Sequence, residues 1–235
     1  MDILFKPGLS PAQKESITKL VNSVSVTNWS TQDKANWAYA TNNAPLPYTK
    51  PRRTLFVDLG HSSKFPGASG VKDEIVWNRS IWQKLNGLFD TDKWAVVLVP
   101  DTYPLDLTSN LNLVHRVQFI NKNCKDGDWV LSIHGNSAAN PGVRGVTTCY
   151  MGGSEYMQAK AVELSKAYSA STGVPVWNGG AFDDRTGRFG RIGMVRDTKP
   201  PALLIEAGFV TNKDDMSVDP MAAAKGIAGW FNKMI

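Results

Sequence analysis

The chain holds three histidines and two cysteines among 235 residues, so any metal or nucleophile chemistry must come from few candidates. Cys124 and Cys149 stand alone, without Cys-x-x-Cys spacing or a third thiol. That excludes a cysteine-based zinc knuckle and leaves buried free thiols as the expectation. No stretch approaches eighteen consecutive apolar residues, and the opening MDILFKPGLSPAQ lacks a basic segment followed by an apolar one. The expected chain therefore has neither membrane anchor nor export signal, has no membrane partner, and is made in the cytoplasm. Single-sign charge blocks, low-complexity tracts and internal repeats are also missing. With 42% apolar and 20% charged residues the composition is globular rather than disordered. The net charge of +5 is a small surplus that mainly favours solubility, and no nucleic-acid partner is expected from it.

What is present divides near residue 50. In SPAQKESITKLVNSV, Ser10 and Pro11 open a segment whose Ile17, Leu20, Val21 and Val24 recur at helical spacing, and STQDKANWAYA reads as a second, weaker helix. NNAPLPYTKPRR then brings three prolines within eight residues, an extended linker that no helix crosses. Residues 1–50 are thus a small helical N-terminal segment with a Pro-rich linker, and 51–235 a separate domain. In that domain TLFVDL, WAVVLVP, DWVLSIH, GVTTCYM and ALLIEAG read as strands, most of them continuously apolar as buried strands are. Helical segments lie between them: Val71 to Phe89 with Val71, Ile75, Trp82, Leu85 and Phe89 on one face, SNLNLVHRVQFINKNC, SEYMQAKAVELSKAYSA and the closing PMAAAKGIAGWFNKMI. The expected fold is α/β, a mixed, mostly parallel central sheet with helices on both faces and a small helical N-terminal appendage.

In open α/β sheets functional groups gather where strands end. His61 follows FVDLG, His134 follows WVLSI, and Glu206 is embedded in the otherwise apolar ALLIEAGF. A buried carboxylate needs a cation, a hydrogen-bond network or a role in proton transfer, because bare burial costs several kcal/mol or neutralises it. Glu74 stands near the start of the helix after the glycine-containing loop SSKFPGASG and can point back across it. Two imidazoles, a carboxylate and an open fourth position form a catalytic zinc arrangement; magnesium would prefer oxygen ligands throughout. A structural pairing of Glu206 with Arg191 or Arg196 is the competing reading. His115, on a helix beside Arg116, reads as structural. Trp77, Trp82 and Trp94 read as core, whereas Trp29, Trp37 and Trp177, in or near loops, are candidates for ligand contact. DDRTGRFGR, residues 183–191, reads as a basic loop.

From about Arg53 to the C-terminus the sequence resembles the zinc-dependent N-acetylmuramoyl-L-alanine amidases of the type 3 family. VDLGHSS looks like the family's Asp-Pro-Gly-His-Gly-Gly strand end, with Leu59 in place of proline and Ser62 and Ser63 in place of glycines. VKDEIVWN is similar to its helix-borne glutamate, LVHRVQFIN to its leucine, arginine and asparagine helix, SIHGNS to its second-histidine strand, and PPALLIEAGFVTN to its catalytic glutamate strand. The resemblance implies one zinc ion held by His61, Glu74 and His134, Glu206 as catalytic acid/base, and peptidoglycan as substrate, cut between muramic acid and the first L-alanine of the stem. Arg116 matches a family position, and pairing with a nearby carboxylate explains it equally well. No amphipathic insertion like that of relatives regulated by a blocking helix stands between His134 and Glu206, which implies an open site. The missing leader and small appendage fit a phage endolysin or delivered lytic effector acting at the bacterial cell wall as a monomer, with residues 1–50 available to dock on a wall polymer or a delivery structure. A zinc peptidase acting on stem peptides, a non-catalytic wall-binding module and a polyanion-binding protein are the alternatives.

Overall fold

The computed structural model describes residues 52–102, 108–187 and 190–234. The two expected N-terminal helices, Trp29, Trp37 and the linker up to Pro51 lie outside these, while its last residue, Arg53, opens the first strand. The described chain runs β1 (Arg53–Asp58), α1 (Glu74–Leu85), β2 (Trp94–Leu98), α2 (Ser109–Asn123), β3 (Trp129–Asn136), β4 (Val146–Tyr150), α3 (Glu155–Thr172), β5 (Val176–Asp183), α4 (Gly193–Arg196), β6 (Ala202–Phe209), α5 (Lys213–Met216) and α6 (Pro220–Met234). The strands form one sheet in the order β2-β1-β3-β6-β4-β5. All neighbours pair in parallel except β4 with β6, so the last two strands run opposite to the other four. This is the mixed, mostly parallel α/β sheet expected.

Alternation along the central strands sends side chains into two cores. Leu55, Val57, Leu131, Ile133, Leu203 and Ile205 face α1, α3 and α6, where Trp77, Ile81, Leu164, Tyr168 and Phe231 are buried. Phe56, Val130 and Leu204 face α2 and α4, where Val117, Ile120 and Met194 close the other side. Both faces being covered explains why these strands read as unbroken apolar runs. The indoles of Trp77 and Trp94, fully buried, donate to the carbonyls of Ala207 (2.9 Å) and Phe231 (3.2 Å), so neither N–H is stranded. Thr108 and Ser154 cap α2 and α3 by accepting from Leu111 N and Met157 N, and Gly173 ends α3 at φ 75°.

Two expectations change. The helix expected from Val71 starts at Glu74, and Val71 is 48% exposed rather than on the core face. Val71 N and Lys72 N both donate to Val210 O, which ties this segment to the exit of β6 as loop. Trp82 is half-buried against the core, and Trp77, Asn78, Ile81 and Leu85 are the fully buried residues of α1. Trp177, expected in or near a loop, is the second residue of β5, an exposed edge strand absent from the expected set. Cys149 is a buried free thiol as expected, while Cys124, also free, is half-buried. Among the described residues no helix is long and apolar enough to cross a membrane.

Candidate active site

The C-terminal ends of the interior strands β1 and β3 meet the start of α1. Asp58, the last residue of β1, is buried, and its Oδ2 accepts from Gly60 N (3.1 Å) and Ser132 Oγ (2.5 Å). Its Oδ1 accepts from Arg116 NH1 at 2.5 Å, and Arg116 Nε donates to Asn112 Oδ1. Asn78 of α1 holds the same turn by donating to Leu59 O. Gly60 sits at φ +72°, and a Cβ there would lie 2.7 Å from the His134 ring, so the turn needs glycine both for its backbone and for room. His61 leaves this braced turn.

Glu74 is the first residue of α1, buried under the loop before it. Its Oε2 accepts from Ala68 N (2.9 Å) and its Oε1 from Gly135 N (3.2 Å). The same Oε1 lies 3.1 Å from His61 Nε2 and 2.9 Å from His134 Nδ1. The two imidazoles stand edge to face, with ring centroids 5.0 Å apart. His61, Glu74 and His134 thus each offer a ligand atom, all within 4.8 Å of one another. Ligands about 2.0 to 2.1 Å from a tetrahedral zinc stand about 3.3 Å apart, close to the histidine–glutamate separations here. Two nitrogens and one oxygen also form the borderline donor set that suits zinc better than a hard cation. The residues therefore fit the metal the sequence implies.

Electrostatics favour the carboxylate form of Glu74. Burial alone would raise its pKa, but hydrogen bonds and charge from His134 and His61 outweigh this and hold it well below the usual range. Burial would lower the pKa of His134, and its bond to Glu74 with the charges of Glu74, Glu206 and Asp58 raises it instead.

Glu206 stands in register with His134 on β3 and with Thr147 on β4, and paired residues share a face of the sheet. Burial first, with the charge of Glu74 adding and that of His134 opposing, pushes its carboxyl up to about 7. Its Oε2 is shielded from solvent and has no hydrogen-bond partner among the described residues. The arginines proposed as its structural partners are engaged elsewhere: Arg196 binds Asp184 and Arg191 binds Asp197. An orphaned carboxylate oxygen with a pKa near neutrality, one strand from His134, is suited to moving a proton.

All four residues singled out from the sequence come together here, and Arg116 is the buried partner of Asp58. Sequence reasoning gave no role to Asp58, Ser132, Thr147 or Gly67. Asp58 and Ser132 carried a signal, as polar residues inside buried runs. Thr147 and Gly67 carried none, because their places depend on strand register and loop closure.

Residues 55–219 match the N-acetylmuramoyl-L-alanine amidase family. Comparison with curated proteins gives no match. Among solved structures, the catalytic domain of CwlV, an N-acetylmuramoyl-L-alanine amidase from Bacillus (Paenibacillus) polymyxa var. colistinus, is similar at 25% identity over 77% of this chain and 97% of that one, with a TM-score of 0.61. The catalytic domain of the CD27L endolysin, which targets Clostridia difficile, shares the fold at 24% identity over 78% of this chain and 99% of its own, with a TM-score of 0.62. An N-acetylmuramoyl-L-alanine amidase from Clostridium difficile 630 shares it at 22% identity over 79% and 100%, also with a TM-score of 0.62. The family match spans most of the chain and all four residues of the cluster, and the chain belongs to the N-acetylmuramoyl-L-alanine amidase family, enzymes that hydrolyse peptidoglycan.

Proposed function

We propose that this amidase is zinc-dependent and cuts the amide between the lactyl group of N-acetylmuramic acid and the L-alanine of the stem peptide. His61, Glu74 and His134 are the residues that would hold the ion, which when bound supplies a Lewis acid to polarise the scissile carbonyl and acidify the attacking water. Glu206 takes the proton from that water and returns it to the alanine nitrogen as the amide bond breaks, leaving a lactyl carboxylate and a free amine. The observation that carries this reading is the orphaned Glu206 Oε2 on the strand adjoining ligand His134. Residues 1–50 are a separate wall- or delivery-docking segment in this proposal, in line with a family match that begins at residue 55. A lytic role, after phage release or effector delivery, accords with the fold shared with an endolysin catalytic domain. Between His134 and Glu206, α3 packs Met157, Ala161, Leu164 and Tyr168 into the core, which supports an uncovered site.

The test is digestion of purified peptidoglycan with and without chelator, with the fragments identified by mass spectrometry. Stem peptides beginning with free L-alanine, lost on chelation and restored by zinc, are expected. Glu206→Gln is expected to lose about 10²- to 10⁴-fold in turnover while retaining one equivalent of zinc. New amines within the stem with the lactyl bond intact would make the protein a peptidase. Sacculus binding with no release from a zinc-loaded chain would make it a wall-binding module.

A further inference from the structure

Beyond the cluster itself, the row His134, Glu206, Thr147 continues to the edge of the sheet and ends in an irregularity. On β4, Val146 pairs with Val176 of β5 and Thr148 pairs with Ala181. Four residues, Trp177, Asn178, Gly179 and Gly180, therefore stand opposite the single Thr147, which pairs on its other side with Glu206. Asn178, Gly179 and Gly180 have φ of 48°, 70° and 85°, and Asn178 is the one non-glycine residue with positive φ among those described. Such backbone persists only where its surroundings hold it, and bulges of this kind gather beside active sites, where they re-aim side chains. The base of the bulge is fixed, since Ser165 Oγ donates to Gly180 O at 2.7 Å and also bonds Thr148 Oγ1. The tip is free: Trp177, Asn178 and Gly179 are exposed, and nothing lies within 4 Å of where a Gly179 Cβ would be.

The bulge presents Trp177, 36% exposed, whose ring meets Phe209 at 5.3 Å and an interplanar angle of 83°. In an edge-to-face pair at least one indole face is left uncovered by the partner. Val176 pairs with Val146, which with Ala207 faces the core under α3, so the next residue, Trp177, points to the opposite face, the one that carries Thr147 and Glu206. The free indole face therefore stands on the catalytic side, against Phe209 of the Glu206 strand itself, three residues or about 10 Å of strand beyond Glu206. That span is covered by a short piece of glycan.

We propose that Trp177, carried on the 177–180 bulge, is a glycan-binding platform that stacks on a pyranose ring of the peptidoglycan strand and so positions the muramyl amide at Glu206. The electron-rich indole face suits the polarised C–H groups of a sugar. An extended stem peptide added to this edge is the less suitable occupant, because the bulge breaks the hydrogen-bonding row that strand addition requires. The proposal rests on peptidoglycan as substrate but not on the catalytic assignments, and peptide-free glycan strands separate the two, since they contain no scissile amide.

Binding of such strands to the full chain, by calorimetry or fluorescence, is expected to weaken about three- to tenfold in Trp177→Leu, which keeps an apolar cover on Phe209 but lacks the flat ring. Trp177→Phe is expected to bind with intermediate affinity, and on whole peptidoglycan Trp177→Leu is expected to raise KM by the same factor, with kcat changing less than twofold. Folded Trp177→Leu binding glycan like the parent, or a parent that binds no glycan strand, overturns the proposal. If Trp177→Leu does not fold, Trp177→Phe decides: intermediate affinity supports the platform and parental affinity overturns it. Glycan binding that depends on Trp177 in a chain that releases no stem peptide would instead overturn the amidase mechanism and leave the platform standing.

Discussion

The proton-transfer role proposed for Glu206 rests on where its strand places it. The folded chain holds its proton up to about pH 7, whereas an unfolded glutamate releases it near 4.5. Between these values the metal-free folded state binds more protons than the unfolded state, so this residue makes stability fall as pH rises through that window. The shift corresponds to up to about 3 kcal/mol. Glu206→Gln cannot titrate, so the difference in unfolding free energy between parent and variant, measured by urea denaturation without metal, is expected to move by that amount in favour of the variant from pH 4.5 to 7.5. Parallel pH profiles would show that the carboxylate is solvated. With a cation on His61, Glu74 and His134, the added positive charge pulls Glu206 down and readies it as a base near neutral pH. Asp58 shows the opposite solution to burial, with Arg116, Ser132 and the Gly60 amide all donating to it, and so works as a brace rather than a proton carrier.

At the scale of elements, the loop from β1 to α1 matters as much as the strands. Gly67 sits at φ +83°, and a Cβ there would lie 2.4 Å from Glu74 Oε2 and 2.5 Å from His61 Cδ2. Gly67→Ala is expected to weaken zinc affinity about 10- to 100-fold in a competition titration, because both ligands must shift. Gly87→Ala is the control: its φ is +101° but nothing lies within 4 Å of the new Cβ, so it brings backbone strain without touching the ligands. Equal zinc affinity in the two variants would remove the loop from the site. The same elements show what a linear sequence discloses. β1, β3 and β6 are legible because burial on both faces makes them continuously apolar, so His61 stands out just past the end of one run and His134 and Glu206 as polar interruptions of the others. β5 is not, because an exposed edge strand with two adjacent glycines and a four-residue bulge has neither an apolar run nor a period of two. Likewise the start of α1 depends on Val210 O capturing the Val71 and Lys72 amides, a contact across nearly 140 residues that local periodicity does not register.

For the molecule as a whole, the question is whether the metal holds the fold together or is held by it. Small zinc domains unfold without their ion because nothing else assembles the ligands. Here two apolar cores close both faces of a six-stranded sheet without it. The proposed ligand that joins the other two is also fixed by protein groups alone, since Glu74 takes bonds from Ala68 N and Gly135 N and faces both imidazoles. The metal-free chain should therefore keep its architecture and lose only the binding free energy. Zinc at a hundred times its dissociation constant adds about 2.7 kcal/mol to stability. For a domain of this size that corresponds to a fall in Tm on chelation of roughly 5 to 10 °C. The far-UV circular dichroism of the chelated protein is expected to superimpose on that of the loaded one at 25 °C, and added zinc to restore both Tm and turnover. Loss of the folded spectrum on chelation would mean that the ion organises the strand ends, and an unchanged Tm would mean that His61, Glu74 and His134 bind no ion at all.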